Sequence, residues 1–165
     1  MSDSQSVRIC INGVKRHFDI EPRQHLVDFL RDRLDLTGSH LGCEHGVCGA
    51  CTVRLNGSIV RGCLVLAVQA DGGTVDTVEG LSESGVLREL QSAFINRNAL
   101  QCGFCTAGML LAATELIEQQ PDADREAVRK GISGNYCRCT GYHAIVDAIC
   151  DVLAARKQSL LQAPV

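Results

Sequence analysis

Ten cysteines in 165 residues are the first chemistry to read, and eight of them fall into two sets. Cys43, Cys48 and Cys51 form a C-x4-C-x2-C run, and Cys63 follows twelve positions after Cys51. This is the spacing of a plant-type [2Fe–2S] site, three thiolates from one loop and a fourth from elsewhere in the chain. Four thiolates must converge on two irons, so the loop has to curl around the cluster with its backbone amides aimed at the sulfurs. Gly42, Gly46 and Gly49 permit the dihedrals and close approach that such a path needs. Amide hydrogen bonds to the sulfurs offset the charge of a reduced cluster. A zinc site calls for four tetrahedral ligands, commonly in C-x2-4-C pairs, and a glycine-wrapped C-x4-C-x2-C run fits it poorly. His45 lies inside the loop, but a Rieske centre needs two histidines with two cysteines. Four cysteines are already present, so His45 is read as a surface residue or a neighbour of the ligands. His17, His25, His40 and His143 carry no metal-ligand spacing.

The second set is Cys102-x2-Cys105 and Cys137-x-Cys139, each pair expected just ahead of a helix. Two helix N-termini facing one point supply free N–H groups and partial positive charge, which suits an anionic thiolate site. A thioredoxin-type C-x-x-C wants a βαβ context, which is absent here. The spacing of this set alone leaves iron–sulfur and zinc readings open. Phe104, between two candidate ligands, is read as a shield. Cys10 and Cys150 are left over, one in a strand pattern and one beside an inward helical stripe, and are expected to be buried inert thiols.

The elements that must position these residues change type midway. Val7–Ile11 and Val14–Ile20 read as strands around an Asn12-Gly13 turn, and Cys51–Leu55 and Ser58–Arg61 as strands around Asn56-Gly57. Leu26, Val27, Leu30 and Leu34 fall at helical spacing between about His25 and Leu34, and Gly38–Ala50 is a loop. A small mixed sheet on a helix, as in a β-grasp, follows. Beyond Leu81 the pattern is helical. One face carries Val86, Leu87, Leu90, Ala93 and Phe94, and another carries Met109, Leu110, Ala113, Leu116 and Ile117. A third helix is predicted from Asp122 or Asp124 to near Gly131, and a fourth from Tyr142 to Leu153 with Ile145, Val146, Ile149, Val152 and Leu153 inward. The fold class is therefore α+β, a β-grasp domain followed by a four-helix bundle. Thr77–Gly85 reads as the junction and Gln158–Val165 as a loose tail.

Composition excludes other classes. A net charge of −3 without clustered Lys and Arg argues against nucleic acid or an anionic membrane as partner. Trp is absent and aromatics are 4%, so there is no stacking platform for single strands. Met1–Ser6 is a short polar leader unlike a secretory signal, and no apolar run is long enough to span a bilayer. The expected location is the cytoplasm, where thiols stay reduced and ten cysteines do not mean five disulfides. No G-x-G-x-x-G and no phosphate-binding loop is present to hold FAD or NAD.

Three motifs in order, Gly42-Cys-Glu-His-Gly-Val-Cys-Gly-Ala-Cys51, Gln101-Cys-Gly-Phe-Cys-Thr106 and Gly134-Asn-Tyr-Cys-Arg-Cys-Thr-Gly-Tyr142, carry a resemblance. They resemble the iron–sulfur small subunit of the xanthine oxidase family of molybdenum hydroxylases. That family includes carbon monoxide dehydrogenase and the quinoline, isoquinoline, nicotine and aldehyde oxidoreductases. The match runs from about Val7 to Leu153. It implies a ferredoxin-like domain over residues 1–80 and a four-helix domain over 81–165, each with one [2Fe–2S] cluster. Cys43, Cys48, Cys51 and Cys63 would hold the cluster nearer a flavin. Cys102, Cys105, Cys137 and Cys139 would hold the one nearer a molybdenum cofactor, with Gln101 and Cys139 beside its pterin. Position 107 is Ala where many relatives have Pro, which is expected to loosen the start of that helix slightly.

The implied function is electron transfer, one electron at a time, from a molybdopterin dinucleotide cofactor on a large subunit to FAD on a medium subunit. The implied assembly is a dimer of heterotrimers that hydroxylates a small molecule, with an N-heteroaromatic compound preferred. The competing reading is a free-standing two-cluster ferredoxin, for which a charge of −3 is a weak docking surface. A third is a zinc-binding interaction module, which would be colourless.

Overall fold

The structure is a computed structural model and describes residues 4–162. The first three residues of the polar leader and the last three of the expected tail lie outside the described residues. Strand β1 (Gln5–Ile11) alternates, with Val7, Ile9 and Ile11 buried and their neighbours turned outward. It pairs antiparallel with β2 (Val14–Ile20) across Asn12 and Gly13, whose φ values of 48° and 80° suit a tight hairpin turn. Helix α1 (Leu26–Leu34) lays Leu26, Phe29 and Leu30 against the sheet, and Phe29 meets Phe18 edge to face with ring centroids 4.9 Å apart. The second expected hairpin forms from β3 (Thr52–Leu55) and β4 (Ser58–Arg61).

A fifth strand, β5 (Thr74–Asp76), was not anticipated, because three residues are too few to show alternation. It sits mid-sheet, in the order β2-β1-β5-β3-β4, parallel to β1 and antiparallel to β3. Without it the two hairpins would have no shared edge. The expected β-grasp sheet is completed by this strand.

The expected junction at Thr77–Gly85 is itself ordered as helix α2 (Val78–Glu83). The Thr77 amide donates to the Asn12 side-chain oxygen at 2.9 Å, and Leu81 packs into the helical core. Helix α3 (Arg88–Asn96) buries Leu90 and Phe94, with Leu87 buried just ahead of it; Val86 is exposed and precedes the helix. Helix α4 (Thr106–Gln119) is buried nearly all round, and its first turn is complete with Ala107 in place. Helix α5 (Arg125–Gly131) starts at an Asp124 cap, whose carboxylate accepts the Ala127 amide at 2.8 Å.

Helix α6 (His143–Gln162) passes the expected end at Leu153, so the tail from Gln158 is helical as far as Gln162. The inward stripe stops at Leu153 because burial stops there, not because the helix does. Ion pairs from Arg97 to Asp151 and from Arg156 to Glu89 bind α6 to α3.

The sheet and the helices keep separate apolar cores. Between them α4 supplies polar ties to the second hairpin. Glu115 accepts the Ile59 amide at 2.7 Å, and Glu118 pairs with Arg54 at 2.8 Å. Among the described residues no helix is long and apolar enough to cross a membrane. Replacing Phe29, which is 0% exposed, by Ala should cost about 3–5 kcal/mol, read as a lower urea midpoint at unchanged slope.

Candidate metal centres

The first cysteine set is gathered by the loop between α1 and β3 and by the residues after β4. Amides of Cys48 and His45 point at Cys43 Sγ from 3.3 and 3.4 Å. These hydrogen bonds, led by that from Cys48, hold the Cys43 thiol down at about 6. Cys51 and Cys63 are buried, on a floor closed by Val27 and Leu41. The Gly62 amide donates to the Cys51 carbonyl at 3.1 Å, while the Gly62 carbonyl accepts the Val27 amide at 3.2 Å. Helix α1 thus holds the distant Cys63 beside Cys51. Burial, with the neighbouring Cys63 thiol, pushes Cys51 up to about 11. Gly46 and Gly49 both take φ of 76°, while Gly42 is needed for space: a Cβ there would come 3.1 Å from Cys48 Sγ.

In the second set, Cys105 caps the N-terminus of α4 and Cys137 and Cys139 lie in the loop ahead of α6. Cys102 Sγ and Cys139 Sγ are 3.6 Å apart. Two thiolates on one tetrahedral metal with bonds of about 2.3 Å span such an edge. The Cys137 thiol lies near enough to Cys105 to act on it, so the two segments meet at this pair too. Burial first, then the Cys137 thiol, pushes Cys105 up to about 12. Burial alone would raise Cys137 too, but the Thr140 hydroxyl, 3.1 Å from its sulfur, and nearby amides hold it below its ordinary value. The Cys137 amide donates to the Tyr142 hydroxyl at 2.9 Å.

This site has two unlike edges. Cys102 and Cys139 are exposed, while Cys105 and Cys137 are half-buried. Gln101 joins the outer edge, its side-chain amide donating to the Cys139 carbonyl at 3.2 Å. Of the two helix N-termini expected here, α4 starts directly after Cys105, whereas α6 begins four residues beyond Cys139. Among the described residues no three Cys, His, Asp or Glu side chains converge tightly enough for a single ion. A binuclear cluster asks for a wider array, two thiolates on each of two irons. The donor set, eight cysteines in two fours with Cys102 and Cys139 meeting at 3.6 Å, fits that group.

The remaining residues separate clearly. His45 is exposed and reaches only the Cys43 carbonyl. The His40 ring stacks on Phe104 at 4.6 Å and meets its carbonyl at 2.9 Å, so this pair joins the two loops. Of the others, His17 pairs with Ser6, His25 stands at the N-cap position of α1 and His143 opens α6. Cys10 and Cys150 are half-buried rather than sealed, and burial raises the Cys150 thiol. Sequence reasoning missed Arg61, Thr52, Asn135 and the hydroxyl of Tyr142. Asn135 and Tyr142 stand inside a quoted motif, which was the available signal.

Residues 9–81 match the 2Fe-2S iron-sulfur cluster binding domain family, and residues 77–150 match the [2Fe-2S] binding domain family. The chain is 52% identical over 150 residues to the nicotine 6-hydroxylase small subunit of Paenarthrobacter nicotinovorans, covering 91% of this chain and 90% of that one. It is 49% identical to caffeine dehydrogenase subunit gamma of Pseudomonas sp. (strain CBB1), covering 88% and 89% of the two chains. Its structure superposes on a chain of quinoline 2-oxidoreductase from Pseudomonas putida 86 with a TM-score of 0.89 at 48% identity, over 98% of this chain and 100% of that one. The chain belongs to the iron–sulfur small subunits of the xanthine oxidase family of molybdenum hydroxylases. It is the electron-transfer part of an oxidoreductase, with two [2Fe–2S] binding domains.

With clusters removed, Cys43 should alkylate with iodoacetamide at pH 7 well before Cys51 and Cys105. A thiol titrating at about 6 is mostly thiolate at that pH, and thiols at about 11 and 12 are not. Peptide mapping by mass spectrometry reads the order.

Proposed function

We propose that Cys43, Cys48, Cys51 and Cys63 hold one cluster and Cys102, Cys105, Cys137 and Cys139 the other, on domains spanning residues 1–80 and 81–165. In the assembled enzyme, electrons pass from a molybdopterin cofactor on a large subunit, through this chain, to FAD on a medium subunit. The assembly is a dimer of such heterotrimers in the cytoplasm. The observation that carries the ligand assignment is the pairwise meeting of sulfurs from segments far apart in sequence, Cys102 with Cys139 at 3.6 Å above all.

Each bound cluster accepts and gives up one electron at a time, which divides a two-electron oxidation into single steps. The protein's part is to set the surroundings. Amides of His45 and Cys48 and the hydroxyl of Thr140 stabilise negative charge on Cys43 and Cys137. Val27 and Leu41 keep water from Cys51 and Cys63. The exposed edge formed by Gln101, Cys102 and Cys139 supports a covered position in a complex over a free shuttle, since a bare edge would leave two ligands open to solvent. Nicotine, caffeine and quinoline, which give the similar enzymes their names, are all N-heteroaromatic, and the substrate proposed for this complex is of that class.

Purification of the tagged chain from its native host should bring two larger chains carrying molybdenum and FAD. Dithionite-reduced samples should show two distinct [2Fe–2S] electron paramagnetic resonance signals. Cys48→Ser should weaken or remove one signal and Cys105→Ser the other. A chain that purifies alone with both clusters would sink the subunit reading, and two unaltered signals in both variants would sink the ligand assignment.

A further inference from the structure

Asn135 belongs to neither cysteine set, yet it lies where the two meet. Its side chain is 2% exposed. Its Nδ2 donates to the Gly49 carbonyl at 3.1 Å and lies 3.5 Å from the Thr52 hydroxyl, which itself donates to Gly49 at 2.6 Å. Gly49 stands between Cys48 and Cys51, and Asn135 stands two residues ahead of Cys137. Both flanking residues are tied in the same direction. The Tyr136 amide donates to the Cys48 carbonyl at 2.8 Å. Arg61 donates one guanidinium nitrogen to the Gly134 carbonyl at 2.7 Å and another to the Thr52 hydroxyl. Three consecutive residues before Cys137 are thus fastened to the loop and hairpin that carry the first set.

The fit leaves no slack. A Cβ on Gly49 would fall 2.7 Å from Asn135 and from the Gly134 carbonyl. From the other side Gly108, three residues after Cys105, backs onto the Gly49 carbonyl so closely that a Cβ there would collide with it. One peptide group is therefore held at once by the segments carrying Cys48, Cys51, Cys105 and Cys137. Any slip of the second loop along the first would strand the buried Nδ2 donor, an arrangement native structures avoid.

We propose that Asn135 is a positioning residue that fixes the distance and orientation between the two cysteine sets. The proposal rests on the ligand reading above, and it concerns spacing, not cluster retention. Transfer of a single electron, one site oxidised as the other is reduced, is sensitive to separation and orientation, so a defined spacing keeps the rate uniform from molecule to molecule.

The test is made on the intact complex carrying Asn135→Leu, which removes the donor at nearly constant shape. With both clusters reduced, the wild-type complex should show one defined spin–spin splitting in its frozen-solution electron paramagnetic resonance spectrum. The variant should retain both signals at unchanged g-values but lose the resolved splitting into an unresolved broad line. Thr52→Val, which deletes the hydroxyl shared by Asn135 and Arg61, should likewise broaden the splitting, and Thr52→Ser should keep it resolved. An Asn135→Leu complex with both signals and wild-type splitting overturns the proposal. If that variant does not assemble, an unchanged splitting in Thr52→Val overturns it instead. Absence of two cluster signals in the wild-type complex would sink the ligand reading, a separate failure.

Discussion

Thiolates gathered at close quarters repel one another, and the rest of this molecule is arranged around keeping two such gatherings in place. Burial first, and then the neighbouring thiols, push Cys51 and Cys105 well above the ordinary range. Opposing this are fixed donors. Amides curl onto Cys43, a hydroxyl reaches Cys137, and helix α4 begins immediately behind Cys105. Neither set is held by a single element. Cys63 depends on α1 through Gly62, and Cys137 depends on the first-site loop through the residues before it. The sheet and the bundle serve as rigid supports for loops that would not keep these shapes alone.

Much of this was legible in the residues. The cysteine spacings named the chemistry because two irons impose a loop geometry that few other groups need. Asn12-Gly13 and Asn56-Gly57 marked both hairpins because their turns require positive φ at both central residues. What was not legible falls into two kinds. β5 and α2 are three and six residues long, too short for a period to show, and they exist because the sheet and the bundle close around them. The last turns of α6 carry no inward stripe, so hydrophobic patterning placed the end of burial at Leu153 and missed the end of the helix. In the sites, the two cysteine sets could be read but their supports could not. Asn135 meets Gly49 across 86 positions, and nothing local in either segment announces the pairing.

The second site differs from the first in having an inside and an outside. Cys105 and Cys137 face the protein, whereas Cys102, Cys139 and Gln101 face away from it. An asymmetric site of this kind has a direction. Groups on the outer edge take their dielectric surroundings from whatever lies against them, so the electronic character of that edge is shared with a neighbour. The inner edge is set by this chain alone.

The parallel pairing of β1 with β5 joins Cys10 to Thr74, the two ends of the stretch that contains the whole first cysteine set. As the chain leaves the ribosome, the sheet cannot close until residue 76 has emerged, and every cysteine of the first set has been made by then. The cysteines of the second set are still to come. Loop closure over so long a span is slow, and ties from the helical half follow in stages, first from Phe104, Glu115 and Glu118 and last from the segment before Cys137. The order of synthesis therefore lets the first cysteine set be gathered before the last of the segments that cover it has been made.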